Sequence, residues 1–377
     1  MNDYRIKFGD VKISDKTRKD MDDLLRSHRV TEGAKVRKFE EEWGRLFGYK
    51  YSIATPSGTV ADTLACMALY DFGAQRGDEI IAPALAFAAV GESILAAGFK
   101  PSFVDIKRDT LNIDAEKIEE KISDRTRAIM AVHTMGKPAE MDKIMAIAND
   151  YDLKVIEDSC EAHGARYQGK YVGNWGDMAA FSFYAAHLIF AGEGGMVSTN
   201  DETIAQSIRS VKTHGRRPGT IYFDHQRLGI NGKVTDMAAV IGLGQMEEGF
   251  WNVYNKRKEN LRYLLSKTKD LEGMAFFNLE GPQEDICPHA FSVTLKGDGT
   301  AKELFDYLEN RGIQTKVNFR SMPTQQQAFA FMGHKEGEFP EAEYVGNKGV
   351  HFGIHQHLTR EDLDYASEVL HEFFTRK

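Results

Sequence analysis

Between residues 51 and 199 the sequence alternates between short apolar runs and longer stretches whose apolar residues recur at helical spacing. The short runs predict buried β-strands and read YSIATP, DEIIAPA, KPSFVDI, TRAIMAVHTMG, LKVIEDS, MAAFSFY and GGMVSTN. The stretches between them predict helices and read GTVADTLACMALYDFG, AAVGESILAAG, AEKIEEKIS and EMDKIMAIANDYD. Because buried strands that alternate with amphipathic helices form βαβ units, we predict an α/β fold with a mostly parallel sheet.

The pattern changes near residue 250. Downstream of it, the sequence predicts a long helix, two strands on either side of a helix, and a closing amphipathic helix, in the stretches VYNKRKENLRYLLSKTKDL, HAFSVTLK, AKELFDYLENRG, GIQTKVNF and REDLDYASEVLHEFFTRK. The chain has 377 residues, which is enough for one large domain and a smaller one. We therefore assign residues 1–250, with two N-terminal helices, to a large sheet domain and residues 251–377 to a smaller α+β domain.

Charge and cysteine content exclude several classes of protein. The net charge of −8 argues against a nucleic-acid binder, which normally carries a basic surplus. The three cysteines are scattered, so they predict neither a disulfide framework nor a four-cysteine iron–sulfur cluster. The sequence shows no signal-peptide pattern and no apolar run of membrane-spanning length, so we expect a cytoplasmic protein without a membrane partner.

Several polar or aromatic residues follow the predicted strands, where ligands collect at the carboxyl edge of a parallel sheet. Gly58 and Thr59 begin a helix, and the N–H groups of a helix N-terminus can hold a phosphate, although Ser57 could simply cap that helix. Asp158 ends an apolar strand and suits an ion pair with a protonated ring nitrogen, or a helix cap. Phe87 could stack on a flat ring or lie in the core.

The order of the motifs is more specific than any one of them. The series SGT, PxxxF, EDxxxAHG, SFYxxx, GEGG and GxNxKxTDxxAA resembles the DegT/DnrJ/EryC1/StrS family of sugar aminotransferases and dehydratases, from about residue 7 to the C-terminus. The resemblance implies an aspartate-aminotransferase-like architecture of fold type I and the cofactor pyridoxal phosphate (PLP) or pyridoxamine phosphate (PMP). It also implies a nucleotide-linked keto sugar as substrate and a homodimer with active sites at its interface.

The resemblance also assigns roles to individual residues. It implies that Gly58, Thr59 and Ser182 contact the cofactor phosphate, that Phe87 stacks on the ring and that Asp158 pairs with the ring nitrogen. Glu161 stands where aminotransferases commonly have a glutamine that contacts the ring hydroxyl. Asn231 would contact the phosphate from a second subunit. The candidate substrate contacts are Lys233, His214 and Arg320. No metal site is expected, and the histidines of HFGIHQH are interpreted as surface or substrate-pocket residues.

The position of the cofactor-linking lysine holds a different residue. Family aminotransferases read SFYxxK, and that lysine links covalently to PLP, but this chain reads SFYAAH and places His187 there, at the expected end of a strand. The nearest lysines, Lys170 and Lys212, lie outside the motif. Histidine cannot form the link, so the cofactor would bind non-covalently. Since a free imidazole has a pKa near about 6.5, His187 could still carry a proton.

Histidine at this position, followed by a similar GEGG turn, resembles the 3-dehydratases of nucleotide-linked 4-keto-6-deoxyhexoses. Such enzymes make deoxysugars of the kind found in lipopolysaccharide O-antigens. The first hypothesis is therefore a PMP-dependent dehydratase with His187 as acid and base and glutamate as amine donor. Ala185 and Leu188 depart from the dehydratase pattern, and KTHGRR is closer to the aminotransferases. The alternatives are an aminotransferase whose lysine is replaced and a catalytically silent sugar-nucleotide binder.

Overall fold

The computed structural model describes residues 4–376 except 218, 220 and 222. The helices are α1 Asp15–Arg26, α2 Ala34–Phe47, α3 Gly58–Ala68, α4 Ala89–Ala96, α5 Met141–Asp150, α6 Glu202–Lys212, α7 Asp236–Glu247, α8 Phe250–Lys267, α9 Ala301–Glu309, α10 Met322–Gln325, α11 Pro340–Lys348 and α12 Arg360–Thr375. The strands are β1 Tyr51–Thr55, β2 Glu79–Pro83, β3 Lys100–Val104, β4 Thr126–Val132, β5 Lys154–Asp158, β6 Arg166–Tyr167, β7 Lys170–Tyr171, β8 Met178–Ser182, β9 Gly195–Thr199, β10 Ala275–Phe277, β11 Glu284–Asp285, β12 Ala290–Leu295, β13 Thr315–Val317 and β14 Gly349–Gly353.

The largest sheet has seven strands in the order β1-β9-β8-β5-β4-β2-β3. The pairs from β8 through β5, β4 and β2 to β3 are parallel, whereas β9 runs antiparallel to both β1 and β8. Most residues of its central strands β4, β5 and β8 are buried, because helices cover both faces of the sheet. The predicted α/β fold with a mostly parallel sheet is therefore confirmed.

The register of this sheet brings the ends of its strands together. Val132 at the end of β4 lies beside Asp158 at the end of β5, and Asp158 lies beside Ala180 near the end of β8. Helix α3 follows β1 and packs against β8. The polar residues that follow these strands therefore share one edge of the sheet.

The C-terminal part of the chain forms a second sheet, in the order β10-β12-β14-β13, with antiparallel pairs throughout. Helices α8, α9 and α12 contribute to a separate hydrophobic core beneath it, which includes Leu264, Phe291 and Phe352. Ile6, near the N-terminus, pairs with Ile313 and lies in this same core. Within the described residues, no helix combines the length and the hydropathy that crossing a bilayer requires.

Two predicted elements differ from the structure. The strand expected to reach His187 ends at Ser182, because Phe183 turns back and its N–H and carbonyl pair with Gly194 and Ala191 (both 2.9 Å). His187 therefore lies in a loop. The predicted helix AEKIEEKIS forms two separate 3-10 turns, at residues 115–117 and 119–121, since only Ala115 and Ile118 of this charged stretch are buried.

Candidate cofactor and substrate site

The start of α3 forms a narrow seat at the sheet edge. Ser57 caps the helix by accepting the Val60 N–H at 3.2 Å. A Cβ atom at Gly58 would lie 2.8 Å from both Cys160 Sγ and Ser182 Cβ, so only glycine fits. Capping by Ser57 and binding of a phosphate are compatible, because several N–H groups at the start of a helix have no partner within it. The residues present therefore fit an anionic group held by Gly58, Thr59 and Ser182.

Asp158 is buried at the end of β5 and accepts the backbone N–H of Cys160 at 3.1 Å. Burial raises the pKa of its carboxyl group above the ordinary range, and its hydrogen bonds to Cys160 oppose that shift. A buried carboxyl group of this kind is matched by a cationic ring N–H. A second buried acid, Asp62 on α3, lies close by and was missed because it sits within an apolar helical stripe.

Phe87 is not a core residue, since 64% of its surface is exposed. Its ring meets that of Phe319 edge to face, with centroids 6.0 Å apart. Phe319 comes from the C-terminal part of the chain, where it follows β13. The open face of Phe87 leaves room for a flat ring, and stacking remains a prediction.

Glu161 is held on both of its oxygen atoms. The Met135 N–H donates to Oε2 at 2.7 Å, and His289 Nε2 lies 3.4 Å from Oε1. Burial is the main cause that raises the pKa of Glu161, to about 7. The carboxyl group can therefore gain or lose a proton near neutral pH. His289 lies more than a hundred residues away in sequence, and only the tertiary fold reveals it.

His187 lies in a group of buried histidines. Its ring centroid lies 5.7 Å from that of His163 and 5.2 Å from that of His289. Burial lowers the pKa of His187 well below the ordinary value, and the neighbouring His163, Arg257 and Lys316 lower it further. The imidazole is therefore neutral at physiological pH, as a proton acceptor must be.

Arg257 and Lys316 bring two cations to this loop from the C-terminal part of the chain. The buried Arg257 on α8 donates to the carbonyl groups of Ala186 and His187, both at 3.3 Å. Lys316 on β13 places its ammonium group 4.3 Å from the ring centroid of Phe8 and 5.7 Å from that of Tyr184. Sequence patterns gave no signal for either residue, because distant elements bring them here.

The remaining predicted contacts lie at the surface. Asn231, Lys233, His214 and Arg320 are exposed, and no hydrogen bond among the described residues joins them to Asp158, Glu161 or His187. A residue that contacts a second subunit has to be exposed in the single chain, so exposure is compatible with the predicted role of Asn231. The roles of all four residues remain predictions. His351 and His355 are buried, so they are not surface residues; His351 Nδ1 lies 2.9 Å from Asn318 Oδ1.

The chain is similar to known proteins in sequence and in fold. The sequence model of the DegT/DnrJ/EryC1/StrS aminotransferase family matches residues 11–371. The GDP-perosamine synthase of Caulobacter vibrioides is 40% identical over 90% of each chain. The E. coli GDP-4-keto-6-deoxy-D-mannose-3-dehydratase with bound hydrated PLP has a TM-score of 0.89 at 27% identity, covering 98% of this chain and all of its own. A GDP-4-keto-6-deoxymannose-3-dehydratase with a trapped PLP–glutamate geminal diamine has a TM-score of 0.86 at 27% identity, covering 97% and 100%.

The likeness to these structures shows that the chain has the fold of fold-type I PLP enzymes. PLP is the cofactor typical of the matched family, and the relatives include both sugar aminotransferases and 3-dehydratases. Nucleotide-linked sugars and glutamate are ligands of the related structures.

Proposed function

Because the chain belongs to the DegT/DnrJ/EryC1/StrS aminotransferase family, we propose that it is a PMP-dependent dehydratase that removes the C3 hydroxyl of a nucleotide-linked 4-keto-6-deoxyhexose. The observation that carries this proposal is His187, a buried and neutral imidazole at the position of the cofactor-linking lysine. Two features support it. The acids Asp158 and Glu161 are each held by a backbone N–H, and the start of α3 has a glycine at position 58, where no larger residue fits.

Different residues of the site would bind different parts of the cofactor. Gly58, Thr59 and Ser182 would hold the cofactor phosphate, Asp158 the ring nitrogen and Glu161 the ring hydroxyl. When bound, PMP supplies the amino group that combines with the C4 ketone and a ring that withdraws electrons. The exposed face of Phe87 would cover one side of that ring.

His187 would move the proton on which the elimination depends. As a neutral base it accepts a proton from C4′, the cofactor carbon that carries the amino group. Its low pKa then makes the imidazolium a strong acid, which suits protonation of the departing C3 hydroxyl. The Arg257 guanidinium donates hydrogen bonds to the carbonyl groups of Ala186 and His187 and so fixes the backbone of this loop. The imidazole would therefore keep its orientation while its protonation state changes.

The electrons for the reaction come from the amine donor. Replacement of the C3 hydroxyl by hydrogen reduces the sugar by two electrons, and oxidation of glutamate to 2-oxoglutarate would supply them through the amino group of PMP. In the net balance, the sugar exchanges its C3 hydroxyl for hydrogen and the nitrogen of glutamate leaves as ammonia. The balance requires no iron–sulfur cluster, in agreement with three free and scattered cysteines.

An aminotransferase with a replaced lysine is the second candidate, and the family to which the chain belongs favours it. The two functions differ in whether the nitrogen taken from glutamate is released as ammonia or stays on the sugar. A dehydratase releases one ammonia for each 2-oxoglutarate formed, whereas an aminotransferase keeps the nitrogen on the sugar and releases none.

The test incubates the protein with PLP, glutamate and GDP- or CDP-linked 4-keto-6-deoxyhexoses, and measures ammonia and 2-oxoglutarate. We expect equal amounts of both from the wild type and at least a hundredfold slower release from His187→Asn, since amide nitrogen does not carry the proton. His28→Asn is the matched control, because His28 is exposed and asparagine tolerates its φ of 58°. Formation of 2-oxoglutarate without ammonia would refute the proposed reaction.

A further inference from the structure

Asp62 is an acid where an apolar side chain would be expected. It lies on α3 among Ala61, Leu64 and Ala65, with 1% of its surface exposed. One of its carboxyl oxygens lies within 4.8 Å of oxygen and sulfur atoms of Asp158 and Cys160. Its Oδ1 atom is buried and has no hydrogen-bond partner among the described residues. A buried polar atom without a partner destabilises the folded chain, so a role for the group is expected.

The two carboxyl groups cannot both be ionised in this place. Burial raises the pKa of Asp62 well above the ordinary range and the charge of Asp158 raises it further. The other titratable groups that face the pair are Cys66 and Cys160, whose thiol pKa values are also raised, His133 and Glu161. None of the lysines and arginines that the structure describes forms an ion pair with either carboxyl group, so the pair retains a proton.

The hydrogen bonds decide which carboxyl group holds that proton. Asp158 accepts a backbone N–H from Cys160, which stabilises its charged form. Asp62 receives no donor at Oδ1, so its neutral form is favoured.

We propose that Asp62 is a positioning residue of the ring-nitrogen site, where it stays protonated and donates its O–H to the Asp158 carboxylate. Asp158 alone then carries the negative charge that faces the cofactor ring. This inference rests on the cofactor of the proposed function and is independent of which reaction follows. It also explains the residue type, since a protonated aspartic acid supplies a donor that an apolar side chain cannot.

The first test compares PLP and PMP affinity of the cofactor-stripped wild type, Asp62→Asn and Asp62→Leu at pH 7.5. The asparagine amide replaces the O–H donor, so we expect its dissociation constants to stay within about threefold of the wild type. The leucine variant removes the donor, and we expect at least tenfold weaker binding. Equal losses in both variants, or full affinity in Asp62→Leu, would overturn the inference. If the wild type binds neither PLP nor PMP, the proposed cofactor is wrong instead.

The second test needs no cofactor. A carboxyl group whose pKa is raised by folding contributes stability at low pH that is lost as the pH rises past its unfolded value. Asp62→Asn removes one such group, so its thermal midpoint should exceed that of the wild type at pH 8.5 and match it near pH 4. An unchanged pH dependence would show that Asp62 does not hold the proton. Because asparagine is nearly isosteric, this result stands even if Asp62→Leu fails to fold.

Discussion

The chemistry of His187 depends on the side chains that surround it. His163 and His289 flank the ring, Arg257 holds its loop, and Lys316 adds positive charge from β13. Burial, together with His163, Arg257 and Lys316, favours the neutral imidazole. The side chain is therefore able to accept a proton at neutral pH, and it has no amine with which to link the cofactor.

The absence of a covalent link is testable directly. We expect that borohydride reduction of the wild type with PLP leaves the protein mass unchanged, because His187 forms no reducible bond. His187→Lys places an amine at the expected position and should gain one reduced pyridoxyl group, seen by mass spectrometry. His28→Lys, at the surface, is the control and should gain none. A pyridoxyl group on Lys316 of the wild type would contradict a non-covalent site.

The raised pKa of Glu161 predicts that its carboxyl group titrates near neutral pH. Its pKa is raised to about 7, so the group is protonated and can donate to a ring oxygen below this pH, and is a carboxylate above it. We expect the affinity of the wild type for PLP to fall as the pH rises from 6 to 8. Glu161→Gln donates at every pH, so its affinity should be flat across the same range in fluorescence titrations. Parallel curves for the two proteins would rule out this role.

Helix α8 links the two parts of the site, because its Arg257 reaches from the C-terminal part of the chain to the loop that bears His187. We expect Arg257→Met to lower kcat at least tenfold while the cofactor dissociation constant changes little. Loss of these buried hydrogen bonds should also cost about 1–3 kcal/mol of unfolding free energy. Arg262→Met, which removes an exposed arginine of the same helix, should alter neither quantity. A proportional rise in the cofactor dissociation constant would contradict a role confined to the loop.

Sequence patterns predicted the elements of the large sheet well, because buried strands and amphipathic helices differ in their hydrophobic period. They failed where long-range contacts decide the structure. Phe183 ends β8 early by pairing with Gly194 and Ala191, and no local pattern signals that turn. Glu161 was predicted from its place in a motif, whereas its partner His289 comes from a distant part of the chain. Asp62 was overlooked because its neighbours in α3 are apolar.

The molecule as a whole buries five histidines whose pKa values are lowered. Burial lowers the pKa of His163 and His351 to about 3 and of His355 to about 4, and His187 and His289 also lie well below their usual values. An unfolded chain binds these protons below about pH 6.5, whereas the folded chain does not, so stability falls with falling pH. Glu40, Asp62, Asp158 and Glu161, whose carboxyl pKa values are raised by burial, act in the opposite direction, but these four acids are fewer than the five histidines.

The protein should therefore be less stable at pH 5.5 than at pH 7.5 in urea unfolding. His163 packs against Trp43, Phe181 and Phe183, so His163→Phe replaces one titrating ring by an apolar ring in aromatic surroundings. We expect this variant to reduce the difference in unfolding free energy between the two pH values by about 1.4 kcal/mol. His28→Asn should leave the difference unchanged. An equal difference in His163→Phe and the wild type would show that His163 is not neutral in the folded protein.

We propose that histidine at the position of the cofactor-linking lysine favours dehydration of the sugar over transfer of an amine to it. The most direct test is the mass spectrum of the sugar nucleotide that the wild type makes from GDP-4-keto-6-deoxymannose with PLP and glutamate. We expect a product that is lighter by the C3 oxygen atom and retains a keto group at C4. A product that keeps the C3 hydroxyl and carries an amino group at C4 would contradict it.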